Sequence, residues 1–466
     1  MLLAVGALVA ATWTAVVLVR GGLVGTALLV LLAGSCFGHP FFHVATGAVP
    51  LTSDRLLLVV LVAQYVVYRR WGWTDSKPLA KIDVLLAALL LVLTVSTLTH
   101  NFRINGARPL SFLVIFYAMP ATLYWVAREI RWTERAAWWV LGSLAVFSLY
   151  LCVTAVAETH GWWPLVFPRY IGSATFEEFL GRGRGPFLNP VSNGIVQSVG
   201  LCAALLWWPR LSRRWQLLLL AAMPIYAWGI YSTLTRSVWM GAGLGVLIVV
   251  GLSTPRAWRG AVVGSAVVAT LLGVVVGWDS LITFKRDKDL DAELTAESAK
   301  LRPVLATVAW HMFQDRPLLG FGFGQYKEVM PDYLADRTTD LPLSKARPFV
   351  QHNVFLALLT DTGLVGLGLF VAVLTGWTWY GWQLWRASDL PAWTNQLGLL
   401  FLATVGVYVP NGMFHDVSIV AMVSMLLFFL AGTTVGLALS SQAVARASAA
   451  RDPAWDVSLR PSLAAR

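Results

Sequence analysis

The sequence predicts an all-α polytopic membrane protein, and three observations support this fold class. Hydrophobic residues make up 57% of the 466 residues and charged residues only 13%, a balance that soluble globular domains do not show. Many apolar runs approach the roughly 20 residues that a helix needs to cross a bilayer. The joints between them are short, apart from one long hydrophilic insertion after Gly277. We therefore expect about 12–13 transmembrane helices and one long extracytoplasmic loop.

The N-terminal run, Met1–Val19, is apolar and has no basic residue before it. A secretory signal would carry its positive charge first, so this run is predicted as a transmembrane helix with its N-terminus outside. The later apolar runs are predicted as further spans: Gly22–Phe37, Leu56–Tyr68, Ile82–Thr99, Leu110–Ala127, Ala136–Ala157, Val191–Trp208, Gln216–Ser232, Val238–Gly251, Val262–Gly277, Gly363–Trp385, Gln396–Val409 and Val417–Leu437.

Basic residues in alternate joints orient the predicted helices. Clusters at residues 69–81, 128–135, 210–214 and 256–259 and in the C-terminal tail fall on one side, which the positive-inside rule makes cytoplasmic. The chain then divides into an N-terminal helix bundle with an outer loop at 158–190, an extracytoplasmic loop domain, C-terminal transmembrane helices, and a cytoplasmic tail predicted to be disordered. These four parts cover residues 1–277, 278–352, 353–440 and 441–466.

Composition and patterning exclude several classes of function. The net charge of +11 is spread over many joints, and nucleic-acid binding needs basic residues gathered on one face. The three cysteines lie inside apolar runs without metal-ligand spacing, and no phosphate-binding P-loop or dinucleotide fingerprint is present. Hardly any ionisable residue falls in the middle of a span, which counts against an ion-coupled transporter.

Arginines on the outer side form the first candidate site. Arg182 and Arg184 alternate with glycines in the sequence G-R-G-R-G, and Arg236 lies in the turn T-L-T-R-S. Guanidinium groups bind phosphate oxygens in a bidentate way, so these residues are predicted to bind a pyrophosphate. The alternative is that they reach out to lipid phosphates or anchor the chain at the interface. The sequence does not choose between Arg182 and Arg184.

A histidine at the start of an apolar run is the second candidate. His352 and Asn353 follow a glycine-rich loop and stand on the same predicted face as the arginines. A neutral imidazole, with a reference pKa of about 6.5, can take a proton from a hydroxyl as a general base. The alternative is a histidine that only caps the following helix. His311, near the end of the hydrophilic insertion, is a weaker candidate.

The acidic sequence Asp287-Lys288-Asp289-Leu290-Asp291 is the only candidate metal site. It lacks the glycine and the terminal glutamate of a calcium-binding loop, because Ala292 and Ser298 occupy those positions. We interpret it as a solvated turn, and predict no metal and no cofactor.

Three motifs between Gly181 and Phe370 resemble the O-antigen ligase / O-antigen polymerase family of bacterial membrane glycosyltransferases. They are the T-x-T-R-S-x-W turn, the R-P-V-L-A-T-V-A-W helix with its G-F-G-F-G turn, and the segment H-N-x-F-L-x-L-L-x-D-x-G-L-x-G-L. The resemblance implies a fold similar to the GT-C-like transferases. It also implies a multi-pass protein of the bacterial cytoplasmic (inner) membrane with its active site facing the periplasm.

The activity implied by the resemblance is metal-independent, inverting transfer of a glycan from an undecaprenyl-pyrophosphate carrier to an acceptor hydroxyl. In these terms Arg184 or Arg182, together with Arg236, binds pyrophosphate, and His352 acts at the acceptor. Arg302 and Asn353, in the matched motifs, are weaker substrate-binding candidates. The acceptor can be a growing glycan, lipid A core or a protein. The alternative function is a transporter or flippase of lipid-linked saccharides, which predicts cationic residues along a path through the membrane.

Overall fold

A computed structural model of the protein describes residues 2–45, 49–100, 109–176, 178–276, 292–335 and 339–449. Helices form nearly all of the regular structure, and a short antiparallel pair, β1 (His43–Val44) and β2 (Leu51–Thr52), is the only sheet in these residues. The helices of the first half are α1 (Leu2–Cys36), α2 (Ser53–Arg70), α3 (Lys81–Thr99), α4 (Pro109–Leu113), α5 (Met119–Arg128), α6 (Glu134–Thr159), α7 (Pro190–Trp207), α8 (Arg213–Ser232), α9 (Arg236–Ser253) and α10 (Arg256–Val276).

The second half contains a loop region followed by three long helices. Its helices are α11 (Ala292–Asp315), α12 (Tyr326–Val329), α13 (Val354–Arg386), α14 (Ala392–Phe414) and α15 (Ala421–Ala449). A π-helical turn at Val114–Ala118 joins α4 to α5, so that Pro109–Arg128 forms one apolar rod. Across the described residues, nine helices are long and apolar enough to cross a membrane. The predicted fold class, an all-α polytopic membrane protein, is confirmed.

The N-terminal helix differs from the sequence prediction. Met1–Val19 and Gly22–Phe37 were expected as separate spans, but α1 runs from Leu2 to Cys36 and bends at Gly22, where φ is 55°. Two residues between the apolar runs are too few for a loop, so the chain bends instead. The bend is stabilised by side chains: Gln64 Nε2 donates to the Leu18 carbonyl at 2.9 Å, and Thr26 Oγ1 donates to the Gly22 carbonyl at 3.1 Å.

Two further boundaries also differ from the predicted ones. The span expected at Gly363 begins earlier, at Val354, because Asn353 caps the helix there. The helix expected to end at Leu437 continues to Ala449. The first residues of the tail that composition predicted to be disordered are therefore helical, and residues 450–466 lie outside the described residues.

Close helix contacts hold the bundle together where small residues permit them. Gly432 and Gly436 of α15 face the backbone of α5, and a Cβ atom on either would lie 2.2 and 2.4 Å, respectively, from the carbonyl oxygens of Tyr124 and Arg128. This spacing of small residues is the one that lets membrane helices approach closely.

Helix α13 is interrupted at Gly363, and the backbone of the preceding loop forms hydrogen bonds with the backbone groups on both sides of the interruption. Gly363 has φ 63° and ψ −160°. The amides of Phe321 and Gly322 donate to the carbonyls of Thr360 and Asp361, each at 2.9 Å. On the other side of the break, the amides of Leu364 and Val365 donate to the carbonyls of Pro317 and Leu318, at 2.8 and 3.2 Å. The sequence motif G-F-G-F-G thus supplies hydrogen bonds that the interrupted helix lacks.

We expect Gly363→Ala to destabilise the protein by about 1–3 kcal/mol from its backbone conformation alone. A Cβ atom there would also lie 2.3 Å from backbone atoms of Leu318. Gly368→Ala in the same helix is the matched control, because a Cβ atom at Gly368 meets nothing within 4 Å. Thermal unfolding in detergent measures both variants, and equal midpoints for the two would contradict the prediction.

The loop region between α10 and α13 has a small hydrophobic core of its own. Buried residues of α11 pack against α12 and the turns that follow it: Val304, Leu305, Val308, Met312, Tyr326, Met330, Leu334, Leu343 and Ala346. This core packs the loop region together, and α11 in turn contacts α13.

Candidate functional site

A cavity of about 450 Å³ lies between the loop before α7, the helix α11 and the segments that precede α13 and α15. Apolar side chains form much of its wall. Its polar and ionisable lining residues are Glu178, Arg182, Asn189, Ser192, Arg302, His352, His415 and Asp416. Residues that are far apart in the sequence thus meet around one space, and three of the predicted site residues are among them.

Arg182 joins the two predicted arginine motifs. Its Nη2 atom donates to Thr235 Oγ1 at 2.6 Å, and its Nε atom donates to the Thr233 carbonyl at 3.3 Å. The amide of Gly183 donates to the Ser232 carbonyl at 2.8 Å, which fixes the loop on the turn between α8 and α9. Only 3% of Arg182 is exposed. The G-R-G-R-G loop and the T-R-S turn therefore form one unit, with Arg182 in the cavity wall.

Arg236 stands next to this unit. It is the first residue of α9, directly after Thr235, and its side chain is half-buried. It is not among the described residues that line the cavity. The chain nevertheless places it one residue from the hydroxyl that Arg182 contacts, at the same end of the bundle.

Arg184, the alternative to Arg182 in the predicted pyrophosphate site, is enclosed by protein groups and is not among the residues that line the cavity. Its side chain is fully buried and its Nε atom lies 3.0 Å from Glu158 Oε1. Its Nη2 atom donates to the Ile171 carbonyl at 2.6 Å, and Nη1 donates to the carbonyls of Phe176 and Glu178. Glu158 Oε2 also accepts from the Gly185 amide at 3.0 Å. The guanidinium thus donates to protein groups on several sides and connects the loop to α6.

His352 lies at the entrance to α13 in a backbone conformation that side chains seldom adopt. Its φ is 48°, in the left-handed region, and its ring is 6.0 Å from that of Phe349. Non-glycine residues with such angles cost of order 1–3 kcal/mol and cluster at functional sites. The conformation turns the chain sharply before the helix, and the His352 side chain lines the cavity.

Asn353, predicted as a weaker substrate-binding residue, is a helix cap. Its Oδ1 atom accepts from the amides of Phe355 and Leu356, at 2.8 and 3.1 Å. Its Nδ2 atom donates to the Met413 carbonyl at 2.8 Å. Both ends of the side-chain amide are engaged, and the residue fixes the start of α13 against the end of α14.

Arg302 reaches the cavity from α11. Its guanidinium donates to the Phe414 carbonyl and lies over the Phe414 ring, 5.4 Å from the centroid. Since Phe414 ends α14, this arginine connects the loop region to the same joint that Asn353 contacts. It brings a second cation to the cavity wall.

The sequence interpretation missed His415 and Asp416. Both line the cavity, in the joint between α14 and α15. Asp416 accepts a hydrogen bond from Ser418 Oγ at 2.6 Å, and burial raises the pKa of its carboxyl. The available signal was a histidine and a carboxylate side by side in a short outer joint. Nothing in the sequence showed that this joint meets His352.

The cavity combines groups that bind anions with groups that can move a proton. Two arginines supply positive charge at its wall, and two imidazoles and two carboxylates line the same space. Among the described residues, no group of three or more His, Cys, Asp or Glu residues could hold a metal ion. The predicted acidic turn at Asp287, Asp289 and Asp291 lies outside the described residues.

Comparison with known proteins points to the same family that the sequence motifs resemble. Residues 221–371 match the sequence model of the O-antigen ligase family. A curated O-antigen ligase of Salmonella typhimurium (strain LT2) is 26% identical over 260 residues. That alignment covers 53% of this chain and 61% of the relative, so the chain aligns with less than two thirds of the relative's length. The family segment holds Arg236, Arg302 and His352. Residues 221–371 of this chain are therefore similar to the O-antigen ligase family, and they include the motifs described above.

Proposed function

We propose that this protein transfers a glycan from an undecaprenyl-pyrophosphate carrier to an acceptor hydroxyl, in the cavity described above. The main observation in its support is that Arg182, Arg302 and His352 line the same cavity. The similarity of residues 221–371 to the O-antigen ligase family supports the class of reaction. The positive-inside distribution of basic residues supports a site on the periplasmic face of the bacterial inner membrane.

In this proposal the arginines bind the pyrophosphate of the donor. Arg182 is held in one orientation by Thr233 and Thr235, so little conformational entropy is lost when a ligand binds. Arg236, at the N-terminus of α9, adds positive charge beside it. Fixed cations stabilise the charge that develops on the leaving group, which is how a transferase can work without a metal.

The acceptor oxygen then attacks the anomeric carbon of the glycan. The bond from that carbon to the pyrophosphate oxygen breaks, and undecaprenyl pyrophosphate leaves with the bonding electrons. The acceptor's proton goes to His352, which acts as the general base. Attack opposite the leaving group inverts the configuration at the anomeric carbon. His415 and Asp416 line the same space and are placed to orient the acceptor or to take up the proton afterwards.

The test is a reaction of the purified protein with a defined undecaprenyl-pyrophosphate glycan, with chelator present throughout. Lipid A core, a free glycan and a serine-containing protein are offered as acceptors, and mass spectrometry identifies the product. Covalent transfer with inverted linkage is expected. Movement of the intact lipid-linked saccharide across a vesicle membrane without transfer would support a flippase instead. Turnover that stops with chelator and returns with magnesium or manganese would contradict the metal-independent mechanism.

We expect Arg182→Lys to lower turnover by about 30- to 1000-fold, because one ammonium cannot reproduce the bidentate geometry of a guanidinium. Loss of one charged contact in a dry site costs about 2–4 kcal/mol at the transition state. Arg169→Lys in the same outer loop is the matched control, since Arg169 is exposed and donates to the Trp163 carbonyl. Parental turnover and carrier affinity in Arg182→Lys would show that this arginine does not bind the donor.

A further inference from the structure

A second, smaller cavity lies at the other end of the bundle, at the bend of α1. It has a volume of about 260 Å³. Its lining includes three arginines, Arg20, Arg131 and Arg135, and three aromatic residues, Tyr68, Trp73 and Trp139. Helix α6 gives the distance between this cavity and the loop that carries Arg182 and Arg184. Near one end of α6, Ala136 lines the cavity, and near the other end Glu158 pairs with Arg184. These two residues are 22 positions apart, which corresponds to about 33 Å of helix. That distance is close to the thickness of a bilayer core, so the two cavities lie at opposite membrane faces.

The three arginines of this cavity form no ion pair at contact distance within the described chain. None of them pairs with a carboxylate in the part of the chain that the structure describes. Arg131 donates instead to the backbone carbonyls of Thr74 and Gly72, at 3.2 and 2.6 Å, and Arg135 lies over the Trp139 ring at 5.6 Å. These contacts fix the two guanidinium groups without neutralising their charge.

Other cations of the same face are neutralised. Arg128 lies 2.8 Å from Asp83, and Lys77 lies 3.0 Å from Asp75, whose carboxylate also interacts electrostatically with Arg131. Arg69 pairs with Glu129. Arg128, Lys77 and Arg69 thus each have a carboxylate at ion-pair distance, whereas the three arginines that line the cavity form no ion pair in the described residues.

We propose that this cavity binds the headgroup of an anionic phospholipid of the cytoplasmic leaflet. A phosphate diester would supply the missing negative charge to the three guanidinium groups, which suit phosphate oxygens. Tyr68, Trp73 and Trp139 provide the aromatic surface that lies at the headgroup level in membrane proteins. Basic pockets between transmembrane helices on this side are the usual form of such sites. The bend at Gly22 opens the space, since Gly21 and Gly22 are part of its lining.

The test compares lipid binding by the parent and by two triple variants in mild detergent. One variant carries Arg20→Gln, Arg131→Gln and Arg135→Gln. The control carries Arg213→Gln, Arg214→Gln and Arg256→Gln, three exposed arginines of the same face that do not line the cavity. Native mass spectrometry measures bound phosphatidylglycerol and bound phosphatidylcholine with the same acyl chains. Inorganic phosphate and glycerol phosphate serve as competitors without chains.

We expect the parent to bind one phosphatidylglycerol at least 10-fold more tightly than phosphatidylcholine. Each arginine near a membrane surface contributes about 5-fold, so the cavity variant should lose roughly 100-fold in affinity. The control variant should lose less than about 5-fold. Single substitutions, each expected to lose about 5-fold, keep the test valid should the triple variant misfold.

Three results would overturn the proposal. Equal binding of the two lipids by the parent would show no headgroup recognition. An equal loss in the control variant would reduce the effect to general surface attraction. Displacement of the lipid by millimolar inorganic phosphate would show that the cavity recognises free phosphate and not a lipid. None of these results depends on transferase activity, so the proposed function is tested separately.

Discussion

We expect His352→Ala to lower turnover by about 10²- to 10⁴-fold, the usual contribution of a general base. Carrier binding and the thermal midpoint should stay close to those of the parent, because His352 is half-buried and Asn353 alone caps α13. The pH–rate profile at saturating carrier gives the decisive measurement. The parent's rate should rise with pH through an apparent pKa of about 6–7, where an imidazole loses its proton, and the variant should lose this limb.

Two histidine controls sharpen this experiment. His415→Ala removes the second imidazole of the cavity, and a smaller loss is expected if it only orients the acceptor. His311→Ala, in α11 but outside the cavity lining, should keep parental turnover. If His415→Ala loses most of its turnover while His352→Ala keeps the acid limb of the parent's pH–rate profile, the general base is His415 and not His352.

The second large effect concerns stability. We expect Arg184→Ala to lower the free energy of unfolding by about 3–5 kcal/mol, the cost of leaving one partner of a buried ion pair uncompensated. Glu158 would remain buried, and the carbonyls of Ile171, Phe176 and Glu178 would lose their common donor. Thermal unfolding in detergent and the yield of folded protein measure the loss.

A double variant separates the structural role from a binding role. Arg184→Met with Glu158→Leu replaces both charges by apolar groups of similar size, which is often neutral for a buried pair. We expect this variant to regain much of the lost stability and to bind the carrier normally. A parental thermal midpoint for Arg184→Ala together with weakened carrier affinity would instead restore the sequence prediction that Arg184 binds pyrophosphate.

The pattern of the sequence predicts the membrane fold, whereas contacts between distant residues determine the details of the candidate site. Apolar run length predicted the membrane fold and most of its helices, because the cost of unpaired backbone in lipid leaves few other solutions. The motifs predicted that Arg182 and His352 lie on one face and that Arg302 lies on a helix, and the structure places all three residues on one cavity. These features depend on local sequence and on charge asymmetry, both of which are visible without coordinates.

Other features depend on partners that are distant in the sequence. Arg182 and Arg184 cannot be told apart from the sequence. What distinguishes them is the ion pair of Arg184 with Glu158, which the structure places in α6 and not in the loop predicted at 158–190. His415 and Asp416 are candidates because the structure places the joint before α15 beside His352, and the sequence does not show this contact. The two N-terminal runs look like two spans because hydropathy does not show that Gln64 of α2 supports a bend between them.

The break in α13 has a consequence for how the chain is inserted during synthesis. The part after Gly363 is long and apolar enough to enter the bilayer as a helix by itself, whereas its first amides find their acceptors only in residues 317–318. In the part before Gly363, the carbonyls of Thr360 and Asp361 likewise accept from the loop amides. Unpaired backbone groups are costly near lipid, so we expect this junction to be completed only after residues 317–322 have folded beside the helix. Folding of the loop and assembly of the helix are thereby coupled, and a chain whose loop does not fold cannot close the site.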